Sequence, residues 1–306
     1  MAIEYSVIIP THNRKALLAE ALDALASQEN APSFEVIVVD DGSTDGTTDM
    51  VLGRTGSVRL LPQPGSGPAT ARNAGARAAS GRWLAFLGDD TIPSPTWLAA
   101  HAKAREGLPD ADKLAAVGYT RWHHRIRVTP FLRYINEQGL QFGYGMIRDP
   151  KDVPFNFFYA SNLSISRELF LSHLFEGNFR AAAWEDIEVG YRLKKKGMRL
   201  IYEPSAIVEH DHPTSVRSFA KRQRMVGRSA VVFYRLHPEL GSFLGLSPGG
   251  PPPFPARSHV LAMEIAIRLL ERTTVERPDW WNEVMRVHYL KGLHEGWRAE
   301  SSNSCT

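Results

Sequence analysis

The sequence has little cysteine, little net charge and no long apolar run. Each of these shortages excludes some classes of protein. Its one cysteine, Cys305, lies in a polar tail, so an internal disulfide is excluded and a reducing compartment is favoured. No stretch approaches the roughly 20 apolar residues of a membrane helix, and the amino terminus lacks a signal-peptide pattern. A net charge of +3 gives no reason to expect a nucleic-acid partner. We therefore expect a cytoplasmic protein.

Positive charge is nevertheless concentrated locally, in residues 121–127 and 217–228. Such clusters form either solvated faces or sites for anionic lipid or a phosphorylated substrate. Three tryptophans near the carboxyl terminus, Trp280, Trp281 and Trp297, fit packing against the rest of the protein, anchoring at a membrane surface, or self-association. Peripheral membrane contact and a homo-oligomer both stay open.

The first third of the chain alternates strand and helix patterns. Apolar runs rich in β-branched residues predict strands at 5–10, 34–39, 58–61 and 83–87. Helical spacing lies between them, at 17–25, 44–52 and 67–79. This alternation predicts right-handed crossovers and a mainly parallel sheet flanked by helices.

The rest of the chain is less regular. Residues 120–158 show no clear period, which indicates a loop-rich functional region. Short strands are predicted at 199–202 and 206–209. The last third is helical, with a Pro-rich linker at 247–255, and its predicted helices span 215–236, 258–271 and 279–298.

Acidic residues follow two of the predicted strands where those strands end. The carboxyl ends of parallel strands meet at one edge of the sheet, where ligands bind. Asp40 and Asp41 suit either turn and capping chemistry or contact with a nucleoside. Asp89 and Asp90 would repel each other unless a cation compensates, and a hard divalent metal takes carboxylates together with phosphates. This edge is therefore predicted to bind a metal and a nucleotide.

Two later segments add candidate catalytic and metal-binding groups. Glu185 and Asp186 open a predicted helix, where acids either favour the helix dipole or supply a general base. His210 and His212 follow a short strand at alternate positions, which makes one of them a candidate metal ligand. Together with the acidic strand ends, these groups favour an enzyme.

The combined motifs resemble glycosyltransferase family 2 over residues 4–235. The matching segments are Val-Ile-Ile-Pro-Thr at 7–11, Val-Val-Asp-Asp-Gly-Ser-Thr-Asp-Gly-Thr at 38–47, Ala-Arg-Asn-Ala-Gly at 71–75, Phe-Leu-Gly-Asp-Asp at 86–90 and Trp-Glu-Asp-Ile-Glu-Val-Gly-Tyr-Arg at 184–192. The resemblance implies a GT-A fold, an α/β, Rossmann-like nucleotide-binding sheet flanked by helices, with a C-terminal helical extension. It divides the chain into a donor half (1–120), an acceptor half with the base (121–240), and a linker with terminal helices (241–306).

The resemblance also implies an activity. The expected reaction is inverting, metal-dependent transfer from a nucleotide sugar, with UDP as the expected nucleotide. The acceptor would be a hydroxyl of a glycan, a lipid-linked molecule or a small molecule, as in polysaccharide biosynthesis. Pro10, Thr11 and Asp41 would line the nucleoside pocket. Arg72 would approach the nucleotide, and Asp89 would contact ribose or the donor sugar.

The remaining implied roles concern the metal and the chemical step. Asp90, with His210 or His212, would bind Mn2+ or Mg2+ at the donor diphosphate. Asp186 would be the catalytic base, and Glu185 beside it would contact acceptor or donor. Residues 221–224 resemble the basic helix near the diphosphate.

One departure from the family pattern and two rival functions complete the sequence-based predictions. Many relatives carry three acids where this chain has Gly88 before Asp89 and Asp90; the missing acid is the first, so metal binding should survive. A nucleotidyltransferase would show a glycine-rich signature near the first strand, and residues 10–14 contain no glycine. A non-catalytic sugar-nucleotide-binding or scaffold protein would have no need of Asp186.

Overall fold

The structure is a computed structural model that describes residues 2–54, 56–179, 183–272 and 275–303, so Cys305 lies outside the described residues. The chain forms two units. The sheet unit comprises Met1–Arg127 and Phe142–His212, and the helical unit comprises Val128–Gln141 and Pro213–Thr306. The ranges 1–120, 121–240 and 241–306 divide the chain differently and stay a prediction about which part binds which substrate.

One eight-stranded sheet organises the sheet unit, in the order β3-β2-β1-β4-β7-β6-β8-β5. Its strands are β1 (Tyr5–Thr11), β2 (Phe34–Asp40), β3 (Val58–Pro62), β4 (Trp83–Leu87), β5 (Thr91–Pro93), β6 (Leu114–Trp122), β7 (Asn162–Ser166) and β8 (Arg199–His210). Strands β1 to β4 pair in parallel, and so do β6 and β8, whereas β7 and β5 pair antiparallel to their neighbours. The sheet is therefore mixed, with four adjacent parallel strands from the first third of the chain.

Eleven helices are found in the described ranges. They are α1 (Lys15–Ala26), α2 (Thr47–Leu52), α3 (Pro68–Ala78), α4 (Trp97–Lys103), α5 (Pro130–Glu137), α6 (Arg167–Leu171), α7 (Glu185–Lys195), α8 (Val216–Leu236), α9 (Gly241–Leu244), α10 (Arg257–Leu270) and α11 (Pro278–Asn303). Among the residues described, none of these helices has both the length and the apolar character needed to cross a bilayer.

Strands β1, β2 and β4 are mostly apolar and buried on both faces, whereas β3, at the edge of the sheet, is partly exposed. Alternate residues of a strand point to opposite faces. In β1, Ile8 joins the core that contains α3, whereas Val7 and Ile9 join the core that contains α1. Helix α3 packs closely on β1, since a Cβ added at Gly75 would lie 2.5 Å from Ile8 Cγ2. The small residues around Arg72 thus bring α3 onto the sheet.

Two sequence-based predictions of elements need correction. The strands predicted at 199–202 and 206–209 are one strand, β8, because a bulge opposite Gly118 accommodates Pro204. The segment 120–158 contains the end of β6 and all of α5. Pro93 closes the edge strand β5, where the missing donor of a proline is tolerated.

The helical unit is built on the packing of α5, α8, α10 and α11. Phe131 of α5 packs edge-on against Phe219 of α8 and Trp281 of α11, and Trp281 is buried. Helices α8 and α11 meet backbone to backbone, because a Cβ on Gly227 would lie 2.1 Å from the carbonyl oxygen of Tyr289. A Cβ on Gly292 would lie 2.0 Å from the carbonyl oxygen of Arg224. These two glycines allow the close approach of the two helices.

Candidate active site

All ten residues predicted from the sequence to form the site belong to the sheet unit. Pro10 and Thr11 end β1, Asp41 follows β2, Arg72 lies in α3, Asp89 and Asp90 follow β4, Glu185 and Asp186 open α7, and His210 and His212 lie at and just after the end of β8. The parallel register pairs Thr11 with Asp40 and so aligns the ends of β1 and β2. The sheet thus gathers the strand-end residues at one edge.

Asp41 holds the loop that leads into α3. Its Oδ1 accepts hydrogen bonds from Gln63 Nε2 (2.6 Å) and from the Ser66 backbone N–H (2.8 Å), and its Oδ2 accepts one from the Gly67 N–H (2.8 Å). Gly67 is the N-cap of α3. The buried carboxylate therefore fixes the start of that helix, and its predicted contact with a nucleobase stays a prediction.

Asp89 and Asp90 form an acidic pair that shares one cation, Arg14. Thr11 Oγ1 donates to Asp89 Oδ2 (2.9 Å), and Arg14 Nη1 donates to Asp89 Oδ1 (3.2 Å) and also to Asp90. Burial raises the pKa of Asp89 to about 6; the Arg14 charge opposes this rise and the neighbouring Asp90 adds to it. The positive charge of Arg14 thus compensates two adjacent, mostly buried carboxylates.

Both predicted histidines approach the carboxylate of Asp90. His210 Nε2 lies 3.5 Å and His212 Nδ1 lies 3.8 Å from Asp90 Oδ2. Burial alone would raise the pKa of Asp90, but the hydrogen bond and charge of His210, together with Arg14, lower it below its usual range. His210 is buried and its Nδ1 has no hydrogen-bond partner among the described residues.

This donor set fits a divalent metal. A carboxylate and an imidazole are ligands that Mn2+ accepts, and Mg2+ is held by one or two carboxylates plus phosphates. Among the described residues, His210 Nδ1 makes no hydrogen bond, so no contact at that atom turns the ring away from Asp90. Asp90 and His210 are therefore the residues of the predicted set that best suit a metal, with His212 more exposed beside them.

A second group of metal-ligating side chains lies at the ends of β6 and β8. One ligand atom each of His123, His124 and Glu209 lie within 4.8 Å of one another. Glu209, however, also accepts a hydrogen bond from Arg121 Nη2 (2.6 Å). Since the guanidinium already neutralises this carboxylate, the group forms an ion-pair network and has no excess negative charge to attract a cation.

Arg72 and Glu185 form a buried pair between α3 and α7. Arg72 Nη1 donates to Glu185 Oε1 (3.1 Å), while Arg72 Nε and Glu185 Oε2 have no partner among the described residues. Burial raises the pKa of Glu185 to about 7; the adjacent Asp186 adds to the rise and Arg72 opposes it. Such unused hydrogen-bonding capacity in a buried pair is typical of functional sites.

Asp186, next to Glu185 in the chain, is held by backbone N–H groups. Its Oδ1 accepts from the N–H of Ile187 (2.9 Å) and its Oδ2 from the N–H of Ala160 (3.3 Å). Trp184, which precedes the pair of acids, has a φ of 71°, a left-handed conformation that is costly for a bulky residue. After this strained turn, the carboxylates of Glu185 and Asp186 lie in different surroundings, the first against an arginine and the second against backbone N–H groups.

Sequence reasoning missed two residues of the site. Arg14 links Asp89 to Asp90 and lies three residues after Thr11, the last residue of β1, where no local pattern marks it. Tyr159 lies near Asp186, whose charge adds to the burial that raises the pKa of the Tyr159 hydroxyl. Tyr159 lies in the irregular segment before β7, where no periodic pattern marks a residue.

Comparison with known sequences identifies relatives of this chain. Residues 6–171 match the sequence model of a family described as "Glycosyl transferase family 2". Validoxylamine A glucosyltransferase of Streptomyces hygroscopicus subsp. limoneus is 32% identical over 228 residues, covering 63% of this chain and 48% of that protein. Pre-mycofactocin glycosyltransferase of Mycobacterium tuberculosis (strain ATCC 25618 / H37Rv) is 29% identical over 254 residues, covering 80% and 51%. The chain spans about half the length of these curated relatives.

Comparison with solved structures confirms the fold. Mannosyltransferase PcManGT from Pyrobaculum calidifontis, in complex with GDP-Man and Mn2+, superimposes with a TM-score of 0.62 at 19% identity, covering 97% of this chain and 88% of that one. S. aureus TarS 1-349 in complex with UDP gives a TM-score of 0.55 at 17% identity, covering 97% and 92%. The predicted α/β GT-A architecture, with helices after the sheet, is therefore confirmed.

Proposed function

This chain belongs to glycosyltransferase family 2 and is a glycosyltransferase, and we propose that it transfers a sugar from a nucleotide donor to an acceptor hydroxyl with inversion at the anomeric carbon. Family membership favours this reaction over the nucleotidyltransferase and scaffold hypotheses. Because the chain covers only about half of its curated relatives, its donor and acceptor are proposals.

The position of Asp186 is the observation that carries the proposal. Its carboxylate is held at the start of α7 by two backbone N–H groups, beside the buried Arg72–Glu185 pair. A general base must be fixed in orientation and still be reachable by the hydroxyl whose proton it takes. Asp186 is only partly buried, which leaves it reachable from solvent.

In the proposed reaction, Asp186 accepts the proton of the acceptor hydroxyl while the hydroxyl oxygen attacks the anomeric carbon. The bond between that carbon and the diphosphate oxygen breaks, and its electron pair leaves with the nucleoside diphosphate. Attack on the face opposite the leaving group, in a single displacement, inverts the configuration. Arg72 orients Glu185 beside the base, where its unpaired Oε2 is available to a sugar or acceptor hydroxyl.

A divalent metal would be held by Asp90 with His210 or His212. When bound, such an ion stabilises the negative charge that develops on a leaving diphosphate. Arg14 brings one positive charge to the two carboxylates of Asp89 and Asp90, which leaves negative charge for a cation, and it holds both side chains in place. Thr11 holds the other oxygen of Asp89, which directs that residue towards the predicted ribose or sugar.

We propose UDP as the donor nucleotide and Mn2+ or Mg2+ as the metal. Two structural neighbours support this choice: TarS was solved with UDP and with UDP-GlcNAc, and GalNAc-T7 was solved with UDP, GalNAc and Mn2+. PcManGT, which was solved with GDP-Man, shows that the same fold accommodates a purine nucleotide. The nucleotide base is therefore the first property to test.

A thermal-shift panel tests the donor site. UDP, dTDP, GDP and CDP are each added with Mn2+ or with EDTA, to the wild type and to Asp41→Asn. A ligand at a hundredfold excess over its Kd stabilises the folded state by about 2.7 kcal/mol. We expect a shift with UDP that requires Mn2+ and is reduced in Asp41→Asn. No shift with any nucleotide, for folded protein, would contradict the proposal.

A further inference from the structure

A basic cavity lies within the helical unit, among α8, α10 and α11. Its volume is about 340 Å3, within the range of cavities that hold small ligands. It is lined by Arg217, Lys221, Arg224, Met225, Arg228, Glu264, Ile267, His288 and Lys291. Five of these nine side chains carry a permanent positive charge near neutral pH, and one carries a negative charge.

The three arginines of this cavity are held in place by carboxylates at its margin. Arg217 Nε lies 3.3 Å from Glu271 Oε2. Arg224 and Arg228 share one carboxylate, that of Glu295, to which Arg228 Nη2 lies 2.6 Å away and Arg224 donates two hydrogen bonds. The guanidinium groups are therefore ordered, and each keeps donors that its carboxylate does not use.

The two lysines are different. In the part of the chain that the structure describes, neither Lys221 nor Lys291 has a carboxylate within ion-pair distance or a side-chain hydrogen bond. The five cations (three arginines and two lysines) face three carboxylates, those of Glu264, Glu271 and Glu295, so the cavity and its margin carry a net charge of 5 − 3 = +2. Within the described residues, the two lysines are the cations of this cavity that have no carboxylate partner.

His288 also lines the cavity. It is only 7% exposed, and its Nδ1 has no hydrogen-bond partner among the described residues. Its Nε2 lies 3.6 Å from Glu264 Oε1. Burial lowers the pKa of His288, so this imidazole adds no charge to the cavity near neutral pH.

We propose that this cavity binds a phosphate monoester. A phosphate monoester carries close to two negative charges at neutral pH, which matches the surplus of +2. Its oxygens accept from the guanidinium forks of Arg224 and Arg228 and from the ammonium groups of Lys221 and Lys291. The cavity is large enough for the phosphate and part of the group that carries it.

This site is distinct in its chemistry from a donor diphosphate site. The family resemblance places residues 221–224 near that diphosphate, yet Lys221 and Arg224 line this cavity and Arg224 is bound to Glu295 of α11. Neither Asp90 nor any other predicted metal ligand belongs to the helical unit. The proposed phosphate should therefore bind without metal and together with the nucleotide.

Calorimetric titration of the full chain with glycerol 3-phosphate in EDTA tests the proposal. We expect saturable binding that Lys221→Ala/Lys291→Ala weakens at least ten-fold. The matched control is Lys103→Ala/Lys113→Ala, which removes two exposed lysines from the sheet unit and should bind like the wild type. Since all four lysines lie at least partly in solvent, both variants should fold, and their circular dichroism spectra verify this.

Two results would overturn the proposal. One is equal affinity of the cavity variant and the wild type, or no binding at all. The other is displacement of glycerol 3-phosphate by saturating UDP and Mn2+, since that would make the cavity part of the donor site. Because the readout is binding in EDTA, it is independent of whether the protein transfers sugar.

Sedimentation with vesicles identifies the source of the phosphate. Leu261, Ile265 and Leu269 form an exposed apolar stripe on α10, which makes a lipid headgroup one source to test. Co-sedimentation with phosphatidylcholine vesicles containing phosphatidic acid, lost in Lys221→Ala/Lys291→Ala, supports a phosphate carried by lipid. Binding of glycerol 3-phosphate without co-sedimentation supports a soluble phosphate ester.

Discussion

Arg72 and Glu185 make a buried ion pair, 3.1 Å between Nη1 and Oε1, that joins α3 to the first residue of α7. Each partner keeps one buried polar atom without a hydrogen bond, Nε of Arg72 and Oε2 of Glu185. A buried, unsatisfied polar atom costs about 1–3 kcal/mol. A substrate that bonds to either atom recovers this cost, so the pair is a favourable place for substrate binding beside Asp186.

The raised pKa of Glu185 makes folding stability depend on pH. The folded-state value is about 7, against 4.5 for an unperturbed carboxyl, so the folded state holds this proton more tightly. The stabilisation is complete below the unfolded pKa and is lost as pH rises through about 7. We expect the free energy of unfolding of the wild type, relative to Glu185→Gln, to fall between pH 5 and pH 8. Urea denaturation measures this difference. If the difference in free energy of unfolding between the wild type and Glu185→Gln were the same at all pH values, the raised pKa of Glu185 would be contradicted.

Replacing the predicted base should abolish turnover and spare donor binding. Asp186→Asn keeps the shape of the side chain and its acceptor oxygen but cannot take a proton. We expect its kcat to fall by about 10²- to 10⁴-fold, with nucleotide-induced thermal shifts unchanged. Glu168→Gln is the control, because Glu168 is an exposed acid in the first turn of another helix, α6. Unchanged turnover in Asp186→Asn would remove the assignment.

We expect the binding of the metal to depend on Asp90. Asp90→Asn removes the charge that Arg14, His210 and His212 all approach. We expect the Mn2+ concentration that gives half of the UDP-dependent thermal shift to rise about ten-fold or more. Asp112→Asn, which loses an exposed pair with Arg82, should behave as the wild type. An equal Mn2+ requirement in both variants would place the metal elsewhere.

The close approach of α8 and α11 predicts a strong effect of one methyl group. In Gly292→Ala the added Cβ would lie 2.0 Å from the Arg224 carbonyl oxygen, so backbone must move. We expect a loss of about 1–3 kcal/mol in the free energy of unfolding. In Gly145→Ala the new Cβ meets no atom within 4 Å, and its stability should match the wild type. Thermal denaturation of both variants makes the comparison.

Local sequence patterns predicted most of the parallel half of the sheet. Strands β1, β2 and β4 are buried on both faces, so apolar runs ending in polar residues locate these strands and the acids that follow β2 and β4. The GT-A fold and the enzyme class followed from the order of these motifs. The positions of Asp89 and Asp90 at a strand end could be predicted because both residues closely follow the apolar run that forms β4.

Contacts between distant segments were not predictable in this way. Arg14 bridges to acids 75 and 76 residues away, and nothing in the local pattern marks it. The bulge in β8 depends on its pairing with β6, because Pro204 by itself indicates an interruption. The capping role of Asp41 likewise requires the loop at 63–67 to fold back onto it.

The glycine contact between α8 and α11 fixes how far apart these two helices lie beside the cavity of the helical unit. Main-chain atoms touch at Gly227 and Gly292, so neither helix can slide or roll without a steric collision. Arg224 and Lys291 stand next to these contacts on opposite helices, and their spacing is therefore built into the backbone. A larger residue at either glycine should therefore change the spacing of these two cations as well as the stability of the helical unit.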